Sequence, residues 1–111
     1  MAVLDRRSGR ERRSVERYNV NIDVEWEGSA GRQNGTISDI SLTGCFVLCS
    51  GEVNDGETVK IYIPLADGMK AEFWAEVVNH VFEIGFGANF VALSTPQRQF
   101  LISLIANFGE E

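Results

Sequence analysis

At 111 residues the chain has room for one domain with a real core and none for a second. Its 44% hydrophobic and 23% charged residues are ordinary for a soluble globular protein, and no apolar run suits a membrane span or a signal peptide, so a cytoplasmic protein without membrane insertion is expected. The net charge of −6 is unevenly spread: residues 1–17 carry +3, while the acidic remainder argues against binding DNA or RNA through a broad basic face.

Residues 1–11 are polar, rich in arginine and nearly without apolar anchors, which predicts an arm that is mobile until something binds it. Residues 12–109 then form the domain. It opens on Arg12-Arg13-Ser14-Val15-Glu16-Arg17, an arginine cluster. Tyr18, Val20, Ile22, Val24 and Trp26 alternate with polar residues, the period of two of a strand with one wet face. Gly28 to Gly31 turns the chain, and a second strand from about Gln33 to Ile40 runs into the turn Asp39-Ile40-Ser41-Leu42-Thr43-Gly44. A third strand follows at Cys45–Leu48. After the Asn54-Asp55-Gly56 turn comes Thr58–Ile63, ended by Pro64, which cannot donate to a ladder. Asp67-Gly68 is a hairpin signal, and strands Lys70–Val78 and Glu83–Val91 bring the count to six.

The last segment changes period. Ser94 or Thr95 can cap a helix, with Pro96 in its first turn and Gln97 three residues after Ser94. Phe100, Leu101, Leu104, Ile105 and Phe108 recur at helical spacing before Gly109. Six short antiparallel strands and a C-terminal helix predict an all-β fold, a closed six-stranded antiparallel β-barrel with the helix over one open side or end.

Two motifs carry chemistry. Arginine brings five donors and a permanent charge, suited to phosphate and to the acceptor edge of guanine. Asp39 can accept from guanine's N–H edge, which arginine cannot serve. Ser41 has no His or Lys base near it in sequence, so a nucleophile role is not expected, and an Asx or Ser turn is what Asp39-x-Ser41 would mean without the arginines. Arg6, Arg7 and Arg10 read as a solvated arm. Cys45, Cys49 and His80 are too few for a zinc site; the cysteines read as reduced, packed thiols and His80 as an exposed residue beside a turn. Trp74 shares a face with Glu72 and Glu76. Exposed, it would mark a partner or ligand contact; covered, it would pack under the C-terminal helix.

In order and spacing, these motifs resemble the PilZ domain, the bacterial receptor for cyclic di-GMP. Arg13-Ser14-Val15-Glu16-Arg17 matches its RxxxR motif and Asp39-Ile40-Ser41-Leu42-Thr43-Gly44 its [D/N]xSxxG motif. Ile84-Gly85-Phe86-Gly87-Ala88-Asn89-Phe90-Val91, with Leu93 to Pro96, resembles the family's last strand and helix start. The resemblance spans roughly residues 11–108. It implies that Arg13 and Arg17 grip guanine and phosphate, that Asp39 accepts from a guanine, that Ser41 bonds phosphate or base, and that Gly44 lets the backbone approach. Arg12, an additional basic residue before the first motif, implies two stacked ligands per protein. The resemblance implies a Trp near the end of the fifth strand, a place that falls near Asn79; Trp74, the nearest aromatic, is in a different register, so stacking support departs from the family pattern. The resemblance further implies a receptor or adaptor, not an enzyme, whose arm closes over bound ligand and signals to a downstream protein. The alternative it leaves open is a PilZ-like interaction module that binds no nucleotide.

Overall fold

The structure, a computed structural model, describes residues 17–109. The expected arm of residues 1–11, and Arg12 and Arg13, lie outside the described residues. Six strands run β1 (Tyr18–Gly28), β2 (Gly31–Ile40), β3 (Gly44–Leu48), β4 (Thr58–Pro64), β5 (Lys70–Val81) and β6 (Gly85–Phe90), followed by helix α1 (Thr95–Gly109). The strands close into an antiparallel barrel in the order β1-β2-β3-β6-β5-β4. Fold class, strand count and terminal helix are as the sequence predicts.

Alternation in each strand becomes inside and outside of the barrel. Val24 and Trp26 of β1, Ile37 and Ile40 of β2, Cys45 and Val47 of β3, and Phe73, Ala75 and Val77 of β5 all point inward and are buried. Val59, Ile61 and Ile63 of β4, with Phe86, Ala88 and Phe90 of β6, complete the lining. Trp26 meets Phe86 edge-on with ring centroids 5.0 Å apart, an arrangement favoured by the opposed charge of ring face and ring edge. Helix α1 lays Leu101 and Ile105 onto this core, and Phe100 stacks at 5.8 Å on Phe73. Its start is a reciprocal capping box: Gln97 N–H donates to Ser94 Oγ at 3.2 Å, and Ser94 N–H donates to Gln97 Oε1 at 2.7 Å. Gln97 Nε2 also donates to the Glu72 carbonyl at 2.7 Å, tying the helix to β5.

Strand limits differ from the sequence reading where pairing overrides alternation. The β1–β2 turn is only Ser29-Ala30, since Gly28 pairs with Gly31, so β2 starts two residues early. Strand β5 continues to Val81 through a register shift between Val77 and Asn79. That extra residue flips the parity, turning His80 inward. His80 is therefore half-buried in a strand, with Nε2 buried and unpartnered, rather than exposed beside a turn. Strand β6 starts only at Gly85, because Glu83 takes a φ of 62° in the preceding turn. Among the described residues no helix is long and apolar enough to cross a membrane.

Candidate functional site

Arg17, the last residue of the first motif, meets the second motif at one corner of the barrel. Because β1 and β2 are a hairpin, Tyr18 pairs with Ile40 and Asn19 with Asp39, which brings Arg17 beside the Asp39 carboxylate. Arg17 Nη2 lies 2.6 Å from Asp39 Oδ1, a charge-assisted hydrogen bond. The Arg17 side chain is 56% exposed and that of Asp39 27%, so both can be reached from solvent. Just before Asp39 the register shifts in both of its ladders, between Asn19 and Ile22 on the β1 side and between Ile37 and Asp39 against β3. Such irregularities re-aim a side chain and are common beside binding sites.

Ser41 is wholly buried, and its hydroxyl is engaged with the turn itself. Oγ accepts from the N–H groups of Thr43 at 3.1 Å and Gly44 at 3.2 Å, and the Ser41 N–H donates to the Gly44 carbonyl at 2.8 Å. The Thr43 carbonyl in turn accepts from Phe90 N–H at 2.8 Å, fastening the turn to β6. Ser41 thus shapes the corner in this structure. Gly44 is bare for a steric reason: a Cβ there would drive into the Ala88 carbonyl oxygen across the β3–β6 ladder.

Cross-strand register extends the site beyond the motifs. On the outer face, Asp39 pairs with Phe46, Phe46 with Gly87, and Gly87 with Asn79. Asn79 Oδ1 accepts from Gly87 N–H at 3.0 Å, so Asn79 serves as a polar brace to β6. The neighbouring row is Gly44, Asn89 and Glu76. Gly44 and Gly87 leave two bare steps between these side chains. Phe46, Asn89 and Glu76 escaped sequence reasoning because only the closed barrel sets them beside the motifs.

Cys45, one residue after Gly44, is buried in the core wall, and its thiol is pushed up to about 12 by loss of solvent and by the nearby Asp39 charge, against an opposing pull from Arg17. Cys49 is half-exposed, and both thiols are free. No cluster of three or more His, Cys, Asp or Glu side chains placed to hold a metal occurs among the described residues. Trp74 is 47% exposed and is not covered by α1; Lys60 Nζ sits 4.8 Å above its ring. Chemically, the corner offers a cationic donor, a carboxylate acceptor and approachable backbone.

A family model described as "PilZ domain" matches residues 11–107. Among solved structures, the PilZ domain of Escherichia coli YcgR with c-di-GMP is similar at 15% identity and a TM-score of 0.74, covering 89% of this chain and 92% of that one. The PilZ domain of CeSA from a cellulose-synthesizing bacterium is similar at 21% identity and a TM-score of 0.68, over 85% of this chain and 98% of that one. PlzA of Borreliella burgdorferi in complex with c-di-GMP is similar at 10% identity and a TM-score of 0.65, over 78% of this chain but 38% of that one. At these identities the likeness shows the fold. Comparison with curated proteins finds no match.

Proposed function

The chain belongs to the PilZ domain family, and on that premise we propose that it is a cyclic di-GMP receptor that signals through a partner protein in the cytoplasm. The observation that carries this reading is the 2.6 Å contact between Arg17 and Asp39, which puts the ends of both motifs within reach of one small ligand. Cyclic di-GMP has two negative charges and two guanines, each with an O6/N7 acceptor edge and an N1/N2 donor edge. Arg13 and Arg17 serve the phosphates and the acceptor edge, with Arg12 adding the charge that a second stacked ligand would need. Asp39 serves a donor edge, Ser41 holds the turn in the shape that presents it, and Gly44 keeps the approach open. To take up the base, Asp39 must exchange its bond to Arg17 for bonds to guanine. That exchange moves Arg17 and the residues before it, and the altered surface is what a partner would sense.

Each good bidentate contact contributes about 1–3 kcal/mol. Several of them, less the entropy lost on association, give affinity on the order of micromolar. Titration calorimetry tests this directly. Heat should appear with cyclic di-GMP near about 100 µM, and Arg13→Ala or Arg17→Ala should weaken binding at least about tenfold. Parent-like affinity in both variants would overturn the assignment.

One observation favours a nucleotide-independent interaction module instead. Val81, Phe82 and Ile84 are all exposed around the β5–β6 turn, an apolar surface independent of the motifs. That reading predicts no stabilisation by ligand at all.

A further inference from the structure

We infer that Asn89 and Glu76 form a second guanine-reading edge beside Asp39. This rests on the cyclic di-GMP reading and deepens it. A ligand with two guanines carries two N1–H/N2–H donor edges. Asp39 can satisfy one of them. Arginine has no acceptor, and the Ser41 hydroxyl already accepts from two backbone N–H groups. The second edge therefore needs another acceptor close to the Asp39–Gly44 turn.

Strands β6 and β5 supply it. Asn89 pairs across the ladder with Gly44, and Glu76 pairs with Asn89, so the three stand in one outward row on adjacent strands about 4.8 Å apart. Asn89 is the one exposed residue of β6, whose other five are buried. Gly44 lacks a side chain, and the Asn89 amide leans over it: Oδ1 lies 3.1 Å from where a Gly44 Cβ would stand. Glu76 is exposed too, and the side chains of both make no hydrogen bond or ion pair among the described residues. Two polar groups with unspent bonding capacity thus adjoin the bare glycine of the motif.

Their chemistry fits guanine. Its Watson–Crick edge presents O6 as acceptor and N1–H and N2–H as donors. The Asn89 amide offers one donor and one acceptor in either orientation, and the Glu76 carboxylate offers acceptors only. Together they can donate to O6 and accept from N1–H and N2–H. Adenine presents the opposite order, with a lone pair at N1 that Glu76 would repel. The pair therefore selects guanine over adenine at a position that Asp39 does not reach.

Calorimetry with the full chain, using cyclic di-GMP and its inosine analogue lacking both N2 amino groups, tests this. Asn89→Ala and Glu76→Ala should each weaken cyclic di-GMP binding about tenfold. Each should also narrow the preference for cyclic di-GMP over the inosine analogue by at least about threefold, because the amino group loses its acceptor. Unchanged affinity for both ligands overturns the inference. So does equal weakening toward both, which would mark a merely structural role. Thermal unfolding within about 2 °C of the parent excludes a folding defect, as expected for exposed side chains. If the parent binds and Arg17→Ala does not, while the two new variants match the parent, only this inference falls. If the parent itself gives no heat with cyclic di-GMP, the nucleotide reading fails and this one with it.

Discussion

Ser41 and Arg17 divide the labour of the site in ways a substitution can separate. The Ser41 hydroxyl is buried and accepts from two backbone N–H groups, that of Gly44 buried and that of Thr43 partly so. Ser41→Ala should therefore cost about 1–3 kcal/mol in chemical denaturation, and weaken ligand binding as the turn loosens. The Arg17–Asp39 pair is largely solvated. Asp39→Ala should cost less than about 1 kcal/mol of stability while removing a base contact, so binding falls and the denaturation midpoint barely moves. A large stability loss there would contradict a solvated pair. Both motifs were legible in the sequence because arginine, aspartate and glycine are chosen for chemistry that few other residues supply. Whether Ser41 faces ligand or backbone was not legible, since a hydroxyl suits either; its bonds to the Thr43 and Gly44 N–H groups appear only in the folded turn.

At the scale of elements, Glu57 shows how one carboxylate fastens two turns. It accepts from Ser29 N–H at 2.8 Å and from Asn54 N–H at 3.0 Å, clamping the β1–β2 turn to the approach to β4. These bonds hold its pKa below the ordinary carboxylate value, Ser29 first and Asn54 second. A depressed folded pKa gives stability that is present above the ordinary value and lost as pH falls through the lowered one. The parent should thus lose stability between about pH 5 and pH 3, and Glu57→Gln should show a shallower loss over that range in urea melts at stepped pH. An identical pH slope in the two proteins would dismiss the clamp. The capping box of α1 was readable because Ser94 and Gln97 act within four residues. The β5 irregularity was not. Its extra residue is defined by pairing with Gly87, a partner on another strand, so nothing local carried the strand past Val78 or turned His80 inward.

The whole molecule isolates one thiol and presents the other. Cys45 is sealed in the barrel wall and Cys49 is half-exposed, so a thiol reagent on the native protein should modify Cys49 first and reach Cys45 only on unfolding. Because burial raises Cys45 to about 12, the folded state keeps a proton that the unfolded chain sheds above about pH 9; stability is intact below that pH and declines as pH climbs from there. Rapid labelling of both cysteines in the native state would mean a barrel more open than this one. On the proposed function, cyclic di-GMP at a hundredfold excess over Kd should add about 2.7 kcal/mol to the same global equilibrium, readable as a rise in melting temperature. The amino-acid order alone determined the number of strands, the terminal helix, the family resemblance and the two motifs, because these rest on local periodicity, turn chemistry and charged residue types. Tertiary structure alone decided that Trp74 stays uncovered, that His80 turns inward, and that Asn89 and Glu76 line up with Gly44. The first two rest on how β5 pairs with its neighbours, and the last on β3 pairing with β6 some 45 residues away; local periodicity encodes neither.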